Sequence, residues 1–214
     1  MTEELVRPDW ARTDELLRHY YDTEWGVPVT DERGVYERLC LEGFQAGLSW
    51  RTVLAKREAF REVFAGFVPE VVATFTEDDV ERIAADARVI RHRGKIRAAI
   101  SNAQVTLDLR EHAGADASVQ GFEIPRVSGD PLVIELGLPA LVWSFKPEVT
   151  PIPRVLADIP TQDAHSATLA KALKKEGMKF IGPTSAYALM EAIGVIDTHL
   201  VDSHRRGISR LYAE

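Results

Sequence analysis

The sequence of 214 residues contains one cysteine, Cys40. A lone cysteine closes no internal disulfide and leaves no CxxC pair, so a disulfide scaffold and a cysteine-rich metal site are excluded and a reducing compartment is expected. No window approaches the roughly 18 uninterrupted apolar residues of a membrane-spanning helix. The opening MTEELVRPDW has neither the basic nor the apolar region of a secretory signal, so a cytoplasmic protein with no membrane partner is expected. Positive charge is scarce too: 26 Lys and Arg against 33 Asp and Glu leave a net charge of −7, which argues against a broad, nonspecific nucleic-acid binder. Internal repeats and low-complexity tracts are absent. Alternating strand-like runs are few, with 127–136 the one ambiguous segment.

What remains is a folded, helical composition, 45% apolar and 28% charged, of a size that fits one large domain or two small packed lobes. Thr76 followed by Glu77, Asp78 and Asp79 reads as an N-cap with acids in the first turn, and Pro69 suits an earlier helix start. Phe60, Val63, Phe64 and Phe67 recur at helical spacing and mark a buried stripe; Ile96, Ala99, Ile100 and Ala103 repeat it after Gly94. Between His112 and Pro139, glycine and proline punctuate a stretch of weak periodicity, an irregular excursion or long connection. Trp143, Phe145 and KPEVTPIP then read as an irregular crossing between lobes. A helix follows from about Asp163 to Glu176, stopped by Gly177. The reading is a single all-α domain over 1–214.

Two segments carry chemistry. In LCLEGFQAGLSW, Leu39 to Trp50, one carboxylate, Glu42, stands eight residues before a tryptophan with Gly43, Ala46 and Gly47 between them. An acid, small residues and a flat aromatic are the parts of a pocket for a planar cation. The flanks Leu41, Gly43 and Phe44 favour burial of Glu42 over a surface position, and Gln45, one turn on, is placed to bond either a bound ring or the backbone. Two glycines inside a helix would each cost about 1 kcal/mol relative to alanine, so the helix is expected to break near Gly47. Leu48 is then either an apolar wedge on a loop tip or a core residue.

The second segment, KFIGPTSAY from Lys179 to Tyr187, joins two helices through a short turn over about 163–194. We read it as a helix-hairpin-helix rather than an ordinary helix turn: Gly182 permits a tight backbone path and Pro183 suits a first helical position. Its helix N-terminus and N–H groups attract phosphate without reading sequence, which makes Lys179, Gly182, Pro183, Thr184 and Ser185 candidate DNA contacts. Basic residues crowd at Arg88, Arg91, Arg93, Lys95 and Arg97 and again at Lys171, Lys174, Lys175 and Lys179. Charge alone leaves open whether these are cationic docking faces or merely solvated helix faces. His92, inside the first group, is read as a helix-start residue with a structural hydrogen bond.

Four stretches in order, YYDTEWGVP at 20–28, LCLEGFQAGLSW at 39–50, IRHRGKI at 90–96 and KALKKEGMKFIGPT at 171–184, resemble the bacterial DNA-3-methyladenine glycosylase I family. The likeness runs from Trp10 to about His199. It implies a two-lobed helical fold of the helix-hairpin-helix glycosylase superfamily with its pocket between the lobes. It also implies a monofunctional enzyme that hydrolyses the N-glycosidic bond of 3-methyladenine in alkylated double-stranded DNA, with free 3-methyladenine as product and a monomer as the working unit. By resemblance Glu42 is the recognition carboxylate, Trp50 the ring on which the flipped base stacks, and Trp10, Tyr20 and Trp25 the other pocket-wall aromatics.

The chemistry suits those residue types. Methylation at N3 makes the base a cation and a good leaving group, so the enzyme need not protonate it; it must extrude the nucleotide, recognise the charged ring and stabilise the sugar cation as the bond breaks. A shielded carboxylate does the recognition, because electrostatics gain strength where water is excluded. No lysine follows the hairpin where lyase-type relatives carry a nucleophile, so strand cleavage is not expected, and Asp197 is read as structural.

Departures from the family matter as much. Its better-known members carry a zinc clip of two cysteines and two histidines, and the matching positions here hold Pro8, Tyr21, His199 and Ser203. Only His199 is a ligand type; proline has no donor, and a structural zinc takes four ligands. No cofactor is expected, and a replacement site from His19, His199 and His204 is disfavoured. The termini are instead expected to hold by packing, with Tyr21 stacked over His199. Leu17 stands where the family usually places a pocket tyrosine, and the 112–139 excursion is absent or shorter in the better-known members. The rival readings are a noncatalytic alkylation-damage DNA-binding relative and, behind it, a helical nuclease, which the lack of a carboxylate cluster disfavours.

Overall fold

Short polar side chains set the helix starts of this chain. Asp14, Asp31, Ser49, His92 and Asp163 each accept from a first-turn backbone N–H, and Thr76 forms a reciprocal capping box with Asp79. The computed structural model describes residues 5–212. The first part of the chain forms α1 (Asp9–Arg12), α2 (Glu15–Thr23), α3 (Glu32–Gln45), α4 (Trp50–Ala55), α5 (Arg57–Val63), α6 (Pro69–Val72), α7 (Glu77–Ala85) and α8 (Arg93–His112). A hairpin, β1 (Phe122–Ile124) and β2 (Leu132–Ile134), leads to α9 (Leu138–Trp143), α10 (Ala164–Lys175) and α11 (Pro183–Ala192). The fold is all-α apart from that hairpin.

The core is built on α3, buried along most of its length and packed against α8, α9 and α11, while α10 packs on α11. Phe60, Phe64, Phe67 and Phe75 form a run of near-parallel rings beside Phe44, so the stripe read from the sequence is a real layer. The helix under it breaks after Val63 into a 3-10 turn, a break that the phenylalanine spacing concealed. Two polar tips in the core are paired: Tyr36 donates to the Ala99 carbonyl and the Trp143 indole to that of Val29, each at 2.9 Å.

Two expectations are corrected. The 112–139 excursion is ordered by a two-stranded antiparallel sheet, Phe122 opposite Ile134 and Ile124 opposite Leu132. Leu132 and Ile134 point into the core and Val133 outward, an alternation too short to register in a sequence window. The hairpin is tied down on both sides: the Glu135 N–H donates to the Thr30 carbonyl and the Val127 N–H to that of Arg210. The crossing at Trp143 is helical instead of irregular, since all six residues of α9 are buried and a continuously apolar run has no visible helical period. The chain from Lys146 to Asp163 is irregular, relieved by one 3-10 turn at Leu156–Asp158.

Candidate active site

α3 delivers its carboxylate inward and then stops. Glu42 lies in the last turn, only 4% exposed, and Gln45 is the final helical residue. Ala46 leaves helical geometry and Gly47 takes φ +82°, a left-handed conformation that a β-carbon would strain. Lys95 closes the helix end, its ammonium donating to the carbonyls of Phe44 at 2.9 Å and Ala46 at 2.7 Å. The chain turns through Leu48, which stands 43% exposed, and re-enters a helix at Trp50 with Ser49 as cap. The glycine therefore breaks the helix as expected, and Leu48 is a loop-tip residue and not a core one.

Glu42 opens on a cavity of about 550 Å3 whose walls include Trp10, Leu17, Tyr20, Trp25, Gln45 and Trp50. α1 and α2 supply the first aromatics, the turn after α2 supplies Trp25, α4 supplies Trp50, and α11 closes the far side with Tyr187 and Glu191. Tyr20 and Trp50 lie 5.4 Å apart between ring centres and tilted, while Trp10 meets Trp25 edge-on at 5.7 Å. The Glu42 carboxylate has no hydrogen-bond partner among the described residues. Burial, then the charge of Glu191, pushes its pKa up to about 8 against the pull of Arg38. Burial and then the Glu42 charge raise the Tyr20 hydroxyl too, which keeps it a neutral donor. An apolar, aromatic chamber with one unpartnered acid is built to take a flat cation, since a buried acid without a partner is costly until something completes it.

Comparison with known proteins decides the kinship. The methyladenine glycosylase family model matches residues 10–126 and 134–206. The chain belongs to the methyladenine glycosylase family. It is 44% identical over 200 residues to DNA-3-methyladenine glycosylase 1 of Escherichia coli K12, covering 92% of this chain and 95% of that protein. Its fold superposes on a crystal structure of a 3-methyladenine DNA glycosylase I with a TM-score of 0.81 at 41% identity, over 94% of this chain and 100% of the other. The Staphylococcus aureus enzyme, solved to explain 3-methyladenine recognition, gives 0.77 at 29% identity over 94% and 95% of the two chains. The family match is interrupted between residues 126 and 134, where β1 turns into β2.

The residues that the resemblance implies for base binding, Trp10, Tyr20, Trp25, Glu42 and Trp50, line the same cavity, as does Gln45, and Leu17 lines it where the resemblance leads one to expect a tyrosine. Of the DNA-contact candidates, Thr184 reaches the cavity, whereas Lys179, Pro183 and Leu48 are exposed outside it. The hairpin geometry differs from expectation in one respect. Gly182 is extended, with φ −121°, and the left-handed residues of the turn are Gly177 and Phe180. What Gly182 provides is open space, for a β-carbon there would meet nothing within 4 Å. Asn102 clamps the turn, its side chain accepting from the Lys179 N–H at 2.8 Å and donating to the Lys179 carbonyl at 3.1 Å.

The two basic clusters separate cleanly. Arg88 pairs with Asp86 and Glu62, Arg93 with Glu81 and Arg97 with Glu77, and Lys95 is consumed at the end of α3. Most of that cluster is thus ion-paired or consumed, with Arg88 and Arg91 in the loop before α8 and Arg91 alone without an ion pair among the described residues, and His92 caps α8 by accepting from the Lys95 N–H. Lys171, Lys174, Lys175 and Lys179 make no ion pair among the described residues and stay exposed on the hairpin.

The positions of the family zinc clip do not fit a metal. The Tyr21 hydroxyl is bonded to Ser203 Oγ at 2.5 Å, His199 Nδ1 faces Asp197 at 2.7 Å, and Pro8 brings no donor. Among the described residues no group of three or more His, Cys, Asp or Glu converges as a metal site requires. Tyr21 does meet His199, but edge-on at 5.4 Å and 65° rather than stacked, because Trp25 takes the stacked position on Tyr21 at 5.6 Å. Asp197 is structural: it accepts from the His199 and Gly207 N–H groups and the His199 ring. Sequence reasoning missed Tyr187, Glu191 and Thr198 on the cavity wall; the available signal was an acid inside the otherwise apolar run of α11.

Proposed function

We infer that this protein is a monofunctional DNA glycosylase that hydrolyses the N-glycosidic bond of 3-methyladenine in alkylated DNA, leaving an abasic site. The observation that carries the reading is the unpartnered Glu42 carboxylate at the wall of an aromatic chamber, in a chain whose relatives are 3-methyladenine glycosylases. In this mechanism the hairpin at Gly182 to Ser185 and the exposed lysines of α10 hold the phosphate backbone, and Leu48 fills the gap as the nucleotide leaves the stack. The base stacks on Trp50, between walls that include Tyr20, Trp10 and Trp25. Stacking on an aromatic is worth about 1–3 kcal/mol, enough to offset part of the unstacking cost.

Glu42 then pairs with the cation. Its carboxylate accepts from the exocyclic amine and is ionised by the positive ring that enters beside it, a gain that neutral adenine does not offer. Because the departing 3-methyladenine leaves as a neutral base, the enzyme needs no general acid; its remaining task is to stabilise the sugar cation until water adds. Gln45 sits to bond the ring edge. We further propose that the enzyme works in the cytoplasm as a monomer without zinc, the terminal junction at Tyr21, His199 and Ser203 replacing a metal clip. Elemental analysis is expected to give far less than one zinc per chain, and a stoichiometric value overturns that part.

The decisive experiment incubates the purified protein with methylated duplex DNA and separates the released bases by chromatography. Free 3-methyladenine with intact strands is the expected product. A protein that retains damaged DNA but frees no base at any enzyme excess is a noncatalytic binder, and the glycosylase reading fails.

A further inference from the structure

The cavity holds a second carboxyl to which the chemistry above gives no role. Glu191 lies on α11 one turn after Tyr187 and lines the same chamber as Glu42. The Thr198 hydroxyl donates to its Oε1 at 2.6 Å, its single hydrogen-bond partner among the described residues. Its other oxygen, like both oxygens of Glu42, is left to an occupant. No cation is committed to either acid, since Arg38, behind Glu42, is engaged by Glu24 at 3.1 Å and Glu37 at 3.4 Å. Two acids without an ion pair on one apolar chamber are costly to hold, and a cationic occupant relieves both.

We propose that Glu191 is a second charge-reading residue of this pocket, which together with Glu42 brackets the alkylated base and selects cationic purines over neutral ones. The proposal rests on the glycosylase reading and extends it to a residue that α11 contributes to the same chamber. The titratable and hydroxyl groups that line the chamber with Glu191 are Glu42 from α3, Tyr20 and Tyr21 from α2, Tyr187 on α11 itself, and Thr198 and His199 from the segment after α11, and the Arg38 charge acts on Glu42. Burial drives Glu191 up to about 7 against the Thr198 hydrogen bond, and burial plus the Glu191 charge drives Glu42 to about 8. The Glu191 charge is thus one of the causes that hold Glu42 protonated, which links the two ionisations. A cation entering the chamber favours the ionised form of both acids and finds compensating charge, whereas a neutral base gains nothing from that exchange.

The test is the pH dependence of kcat/KM for 3-methyladenine release from methylated duplex, for wild type, Glu191→Gln and Thr198→Val. Binding to an abasic-site duplex controls for folding and DNA contact. In wild type the rate rises with pH through the range of the pair. Removing the Glu191 charge lets Glu42 ionise earlier, so the acid limb of Glu191→Gln moves down by about one pH unit while its high-pH plateau falls roughly tenfold, and the two curves cross. Thr198→Val moves the limb upward, because losing the donor hydroxyl favours protonated Glu191. Parallel curves with an unmoved limb, or abasic-duplex binding lost in step with activity, overturn the proposal. A wild type that releases no 3-methyladenine at any pH sinks the glycosylase reading instead.

Discussion

Tyr20 and Tyr21 are neighbours on α2 and belong to two polar clusters built to opposite rules. On the Tyr20 side, around the cavity, polar groups are left incomplete: Glu42 has no partner among the described residues, the Trp50 indole N–H is buried without one, and Glu191 has only Thr198. On the Tyr21 side, where the first and last described segments meet, pairing is denser, although His199 Nε2 and part of the Arg205 guanidinium are buried without a partner. Tyr21 bonds Ser203, Asp197 collects the His199 ring and two backbone N–H groups, and Asp22 gathers Arg7 and His204. A buried polar group without a partner costs about 1–3 kcal/mol, so an acid left open on a cavity wall points to a ligand that completes it, while a cluster whose carboxylates are paired serves the fold. Damage to the first cluster is therefore expected to cost catalysis, and damage to the second to cost stability.

The largest break is Glu42→Gln. The amide keeps the shape and loses the charge, so 3-methyladenine release is expected to fall by about 100-fold, the scale of removing one preorganised electrostatic contact. Abasic-duplex affinity should stay within twofold and the melting temperature unchanged or higher, because a neutral side chain relieves the burial of an acid. Equal activity would show that the carboxylate is not the recognition group.

Asp197→Ala attacks the other cluster. It strands the His199 ring, the buried His199 N–H and the half-buried Gly207 N–H, and an expected loss of about 3 kcal/mol lowers the melting temperature by roughly 6–12 °C. Release of base below the melting range should change far less than in Glu42→Gln. Acid gives the same result without mutation. Burial pushes the Asp197 carboxyl up, but the His199 hydrogen bond and charge and the Gly207 N–H outweigh it and hold it below the usual range. A depressed carboxyl contributes stability that is complete above its unfolded value and is lost as pH falls through its folded one, so this contribution disappears below about pH 4. A melting temperature indifferent to Asp197→Ala would show that the junction is not what holds the chain ends.

The comparison also explains what the sequence made legible. Glu42, Trp50 and the break at Gly47 were readable because each is chemically conspicuous where it stands: an acid and two glycines in an apolar run. The helix starts at Thr76 and near Asp163 were readable because their signals are local. Glu191 and Thr198 escaped because their meaning is tertiary; nothing within a helical turn of Glu191 says that α11 faces α3 across a cavity. The hairpin at Phe122 and Leu132 escaped because three-residue strands are shorter than any period test can resolve. Likewise the sequence showed two basic clusters alike, and only the partners, acids for Arg88, Arg93 and Arg97 and none for the lysines of α10, tell them apart.

The smallest expected effect tests whether the cavity rim joins the chemistry at all. Leu48 is exposed at the tip between α3 and α4, so Leu48→Ala removes little buried surface and should leave the melting temperature within about 1 °C. Free 3-methyladenine, which needs no wedge, should bind as it does to wild type. Release from duplex DNA should fall by only a few fold, since unstacking a base costs a few kcal/mol and a wedge recovers part of it. The loss should vanish when the lesion sits in a single strand, where no stacked partner must be replaced. An equal loss on both substrates would move Leu48 from the rim to the pocket, and no loss on either would leave the hairpin and its lysines as the main hold on DNA.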